Sequence, residues 1–173
     1  MRHRSVIRAL IVAFAGLFVA NRALAQTGLT AELDPFQEVP PHNTPGYGSA
    51  DLTLTDNTLS INVGTGTYAD LLAGASTVRL QDAGYGMNGP TLGTFNLDTP
   101  GNTSGTFSGS VAGLTAGQIN DVLAGNTYIN ITDPVYPSGE IRGQIEVPEP
   151  ASLAILAGMG LLAMRRRRHN SSI

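Results

Sequence analysis

Few side chains in this sequence are equipped for chemistry. Glu38 and Glu140 are the carboxylates set among distinctive neighbours. A carboxylate hydrolase needs two such acids facing one substrate across a defined gap. These two are remote in the chain and nothing in the spacing aims them at each other, so a structural role is expected. Arg142 is one of only two basic residues between Thr27 and Glu146, against twelve Asp or Glu, and it falls within a strand-like run. So outnumbered, it is expected to form a structural ion pair, with Glu140 on the same strand face or with Glu38 across the sheet, that orients strands. His42 is the single His of this middle region, and there is no Cys anywhere. One imidazole cannot build a zinc or copper site, which takes three or four N, O or S ligands. Without Cys there is no disulfide, thiolate ligand or thiol nucleophile. No Gly-x-Ser-x-Gly elbow and no Asp-x-Asp-x-Asp-Gly loop occurs. The expectation is therefore no catalytic residue, no metal and no cofactor.

One loop is a candidate for ligand contact. Asp82 to Pro90 is Gly-rich but lacks Lys and a following helix, so it is not a phosphate cradle. At its tip Tyr85 is suited to stacking on a sugar ring, and Asn88 to hydrogen-bonding hydroxyls.

The elements that position these residues read as strands and turns. Leu29–Leu33 opens the series. Ser49–Thr55 and Leu59–Val63 form a hairpin through Asp56-Asn57, with Leu59, Ile61 and Val63 on one face. Period-two alternation of this kind buries one face and leaves the other wet. Thr77–Leu80 is a further strand. Thr91–Leu97 and Thr103–Val111 pair through Thr99–Asn102, and Tyr128–Ile131 pairs with Glu140–Ile145 across Pro134–Gly139. One short helix is expected after the cap Thr115, with Ile119, Val122 and Leu123 at helical spacing and Gly125 ending it. Many short strands with Gly and Pro turns favour an all-β antiparallel sandwich or barrel; a β-helix is the main competitor, although the sequence shows no fixed repeat period.

Charge is partitioned along the chain. Every basic residue other than His is Arg. Arg2, Arg4, Arg8 and Arg22 lie near the start, Arg165, Arg166, Arg167 and Arg168 near the end, and the middle carries a net charge near −10. Such a middle repels nucleic acid and is kept soluble by its own charge. The uncharged run Ala9–Ala20 follows three Arg and precedes Ala23-Leu24-Ala25. That is the grammar of a signal peptide over residues 1–25, cut before Gln26. At the other end, Val147-Pro148-Glu149-Pro150 cannot continue a strand ladder. The uncharged run Ala151–Met164 and four consecutive Arg follow, which reads as a membrane helix with a cytoplasmic stop. At about 1.5 Å per residue it covers roughly 21 Å of a hydrocarbon core of about 30 Å, a gap that snorkelling Arg and local thinning can close.

Two resemblances follow from these residues. Pro148-Glu149-Pro150, the short apolar span and the Arg cluster resemble the PEP-CTERM sorting signal over residues 148–173. This implies a Gram-negative host and an exosortase as processing partner. The chain would be anchored in the inner membrane as a precursor, then sit at the cell surface or in an extracellular matrix of exopolysaccharide and biofilm. Within residues 26–147, three stretches resemble the CHRD domain. They are Gln37-Glu38-Val39-Pro40-Pro41, Gly84-Tyr85-Gly86-Met87-Asn88-Gly89-Pro90, and Leu123–Ile131 leading to Pro137–Ile145. The resemblance implies an immunoglobulin-like or superoxide-dismutase-like β-sandwich. Many relatives carry a His-x-His pair before the Gly-rich loop and a His after the Tyr-x-Asn-x strand; here Val78-Arg79-Leu80 and Thr132 stand there. Metal or dismutase chemistry is therefore not carried over. The expected function is an exported binding or structural module of surface or matrix, with exopolysaccharide or a surface protein as partner. A secreted metal-dependent or hydrolytic enzyme is the alternative.

Overall fold

A computed structural model describes residues 26–148. The expected signal peptide, the membrane helix 151–164, Glu149, Pro150 and Arg165 to Arg168 lie outside the described residues, while Pro148 is described and exposed. Among the described residues no helix is long and apolar enough to cross a membrane.

The described chain holds ten strands and one α-helix. The strands are β1 (Gln26–Leu33), β2 (Tyr47–Thr55), β3 (Thr58–Ile61), β4 (Thr67–Ala69), β5 (Thr77–Asp82), β6 (Thr91–Leu97), β7 (Gly105–Ser108), β8 (Ser110–Val111), β9 (Thr127–Thr132) and β10 (Ile141–Glu146); α1 is Ala116–Leu123. All pairings are antiparallel. The order β1-β10-β9-β5-β6-β7-β4-β2 returns to β1 through a β1–β2 ladder, so eight strands close into a barrel. The all-β antiparallel expectation with one short helix is met; the strands join in a ring where the sandwich expected from the resemblance would leave two separate sheets. Closure depends on β1. It pairs with β2 along its whole length, from Gln26↔Thr55 to Leu33↔Gly48, and with β10 at Thr30↔Glu146 and Ala31↔Ile145. A closed ring removes the exposed edges that invite aggregation.

β3 and β4 share one edge of β2, and β7 and β8 are one strand broken at Gly109, whose φ of 110° suits Gly. The expected continuation of β3 to Val63 does not occur. Asn62–Thr65 turns, with Gly64 at φ 79°, and Val63 ends fully exposed instead of on the apolar face. β4 has little sequence signal beyond Tyr68, which is buried and donates its hydroxyl to the Thr99 carbonyl at 3.0 Å.

The barrel interior is filled by period-two side chains such as Leu29, Leu52, Leu54, Leu59, Val78, Leu80, Ile129, Ile131, Ile141 and Ile145. Each such buried aliphatic contributes about 1.5–3 kcal/mol. Helix α1 adds the fully buried Val122 to this core. Thr115 and Gln118 form a reciprocal capping box, and Gly125, at φ 74° after the Ala124 C-cap, ends the helix.

Candidate ligand-presenting loop and its buried clamp

Strands β9 and β10 are buried on both faces. Their inward residues, Ile129, Ile131, Ile141 and Ile145, enter the barrel core. Their outward residues, Tyr128, Asn130, Arg142 and Gln144, are buried as well. Period-two alternation leads one to expect this second face to be wet. It is dry because two loops lie across it: residues 34–45, entered by a 3-10 turn at Pro35–Gln37, and the Gly-rich loop 82–90. The three stretches that carry the family resemblance therefore meet in one place.

Arg142 is at the centre of that place and has no solvent exposure. Its Nη1 donates to the Met87 carbonyl at 2.7 Å, and its Nη2 donates to the Gly84 carbonyl at 3.1 Å and to Gln144 Oε1 at 3.0 Å. Its guanidinium carbon stands 3.4 Å from the centroid of the Tyr128 ring, a cation–π stack in a desolvated setting. Burial pulls the guanidinium pKa down, opposed by Tyr128, Glu38 and Tyr85 nearby. Among the described residues none of the hydrogen bonds of Arg142 goes to a carboxylate, and in place of the expected pairing with Glu140 the side chain clamps backbone carbonyls. The planar fork suits this, since two parallel donors can reach two carbonyls of one tight turn.

Neighbouring amides extend the clamp. Gln144 Nε2 donates to the carbonyls of Ala83, at 2.9 Å, and Gly125, at 2.7 Å, so the start of the loop and the end of α1 share one anchor. The Gln144 amide donates to Gln37 Oε1 at 3.1 Å, and Gln37 Nε2 donates to Asp34 Oδ2 at 2.7 Å. Gly89 N–H donates to the Tyr128 hydroxyl at 3.2 Å, and Asn88 Nδ2 donates to the Val39 carbonyl at 2.9 Å. Asn88 thus fastens the loop to residues 34–45 with the group that sequence reasoning offered to a ligand. Tyr85, by contrast, projects from the tip and is 72% exposed.

Glu38 lies inside the clamp and is only 4% exposed. Burial pushes its carboxyl up to about 7, against the opposing pull of Arg142 and of the Val39 amide. Among the described residues its Oε1 has no partner, and neither does the buried Asn130 Oδ1; a Cβ at Gly139 would collide with both.

Glu140 belongs to a second cluster, at the opposite end of β10. Fully buried, its carboxylate accepts from the Leu72 amide at 3.0 and 3.1 Å, while the equally buried Asp133 accepts from the amides of Ala73 and Tyr136. Burial raises the Glu140 pKa, with Asp133 adding to the rise and the Leu72 hydrogen bond opposing it. The two acids hold the 70–75 loop. His42 stacks at a tilt on Tyr136, with ring centroids 4.3 Å apart. At Thr132, Oγ1 lies 2.7 Å from Thr77 Oγ1 across β5 and β9, so a hydroxyl pair occupies this cross-strand position. Among the described residues no three His, Asp or Glu side chains gather as a metal-holding group.

Beside the clamp a cleft of about 510 Å³ opens between the Gly-rich loop, the end of α1 and the end of β10, lined by Tyr85, Leu123, Gly125, Gln144, Glu146 and Val147. The sequence singled out Tyr85 but missed the rest of this lining. Leu123 carried a signal, since its helical spacing implied burial; it is instead 42% exposed at the cleft wall.

Comparison with known proteins fits this arrangement. No curated protein and no solved structure matches the chain. The model of the PEP-CTERM protein-sorting motif matches residues 146–168, which implies an exported protein sorted by an exosortase. The model of the CHRD domain matches residues 29–145, spanning the barrel and every strand of the clamp. By that match the chain belongs to the CHRD-domain family.

Proposed function

We propose that this chain is an exported, surface- or matrix-associated binding or structural module, sorted by an exosortase, and that it is not an enzyme. One observation carries the reading: the charged residues of its distinctive motifs are buried, while the aromatic Tyr85 at the tip of the Gly-rich loop faces solvent. Glu38, Glu140 and Arg142 are each at most 4% exposed. A hydrolase would need its acids open to substrate. Tyr85 offers a rigid aromatic face beside a polar-lined cleft, suited to stacking on a sugar ring of an exopolysaccharide. Its loop is held by Arg142, Gln144, Tyr128 and Asn88, so little ordering entropy is lost on contact.

The test is retention of the mature protein by the host's matrix polysaccharide. Wild-type protein is expected to co-sediment, and Tyr85→Ala to lose at least about fivefold in retention, in line with loss of one stacked contact. Equal retention of both would remove Tyr85 from the site. No retention of either by polysaccharide or envelope would overturn the reading.

A further inference from the structure

The cleft beside Tyr85 stands where the described chain ends. Val147 lines it and Pro148 follows. In the sequence, Glu149 and Pro150 alone separate Pro148 from the uncharged stretch 151–164. Three residues span at most about 10 Å even when fully extended. If stretch 151–164 enters a bilayer, the end of the barrel bearing this cleft cannot leave the membrane surface.

That end also exposes large hydrophobic side chains beside its polar groups. Tyr85, Leu123 and Val147, with Met87 two residues beyond Tyr85 in the same tight turn, are all exposed large hydrophobics. Tyr is a residue of membrane interfaces, where its ring meets acyl chains and its hydroxyl meets headgroups. Glu146 lines the same cleft, and Asp121 stands near enough to Asp82, at the base of the loop, for the two to repel, so the flank carries several carboxyl groups. Such a flank disfavours anionic lipid and leaves zwitterionic lipid as the fitting surface.

We propose that, while the sorting tail is attached, the rim formed by Tyr85, Leu123 and Val147 rests in the headgroup region of a zwitterionic bilayer and seats the barrel on the membrane with Pro148 held at its surface. This rests on the sorting-tail reading above and adds a second point of contact to it. The loop clamp then has two successive uses: it presents Tyr85 to lipid in the precursor and frees it for a ligand once the tail is cut. The surface is too small to hold the domain on a membrane unaided, so contact ends on release.

The chain has no Trp, so a single introduced indole reports on its own surroundings. The precursor, purified after signal-peptide removal with its tail intact, is reconstituted into phosphatidylcholine vesicles containing brominated phosphatidylcholine. Two variants are compared, Tyr85→Trp at the cleft and Val135→Trp on the exposed β9–β10 turn at the far end of β10. Both are expected to float with the vesicles. Emission of the Tyr85→Trp chain is expected to fall by at least about twofold relative to unbrominated vesicles, as for an interfacial aromatic, and that of the Val135→Trp chain to stay unchanged. Flotation without quenching of the Tyr85→Trp chain would overturn the lipid contact and leave anchoring intact, as would equal quenching of both. Failure to float would overturn the anchoring reading, and the contact with it.

Discussion

At the scale of single residues, Arg142 and Glu38 decide whether the motif stretches stay together. Arg142→Met keeps the apolar stem but leaves the Gly84 and Met87 carbonyls without their charged donors and removes the stack on Tyr128. Hydrogen bonds to charged groups contribute about 1.5–3 kcal/mol each, so a loss of at least about 3 kcal/mol is expected in urea unfolding. Arg142→Lys should lie between, since an ammonium keeps charge without the fork. Glu38 gives a pH dependence of definite sign. Its folded pKa is raised, from 4.5 to about 7, so the folded chain binds the proton more tightly than the unfolded chain. The stabilisation is full below about 4.5 and is lost as pH rises through about 7, a swing of about 3 kcal/mol. Stability of the wild type should therefore climb as pH falls from 8 to 5. Glu38→Gln, an uncharged mimic of the protonated acid, should flatten most of that slope. An unchanged slope in the variant would mean that desolvation does not dominate at Glu38. Sequence reasoning marked both residues as structural, yet assigned Arg142 a carboxylate partner. Backbone carbonyls carry no side-chain signature, so a clamp on Gly84 and Met87 cannot be read from residue types.

At the scale of elements, the hairpins were legible because alternation, Gly and Pro punctuation and capping all pointed the same way. The Thr115 cap and the Gly125 stop fall where the pattern puts them. Alternation reports which side chains differ, not what covers them or where a strand turns away. The polar side of β10 is covered by loops, and Val63 sits within a turn that the run of Leu, Ile and Val disguises. Gly139 shows how closely the β9–β10 turn is fitted to the clamp. Its φ is 146°, and a methyl there would meet Asn130 and Glu38 inside contact distance. Gly139→Ala is thus expected to cost more than about 2 kcal/mol, through strain and displacement of buried polar groups together. Urea midpoints for this variant and for an alanine at the open, fully exposed Val63 would show the contrast, the latter changing by no more than about 0.5 kcal/mol.

At the scale of the whole molecule, the all-β class, the middle domain and its likeness to the CHRD family could be read from the sequence. Closure of the barrel could not, because it depends on β1 pairing along two edges, a long-range register that no local pattern encodes. The partition of charge, Arg at both extremities and carboxylates in between, is the feature that ties fold to destination. On the proposed function, the barrel is a passenger and its flanks are addresses. The most direct measurement is the intact mass and both terminal residues of the mature protein from its native host. The expected species begins at Gln26 and ends close to Pro148, having lost the Arg165–Arg168 tail. An 18.0 kDa chain recovered with both extremities in place would contradict export and sorting alike.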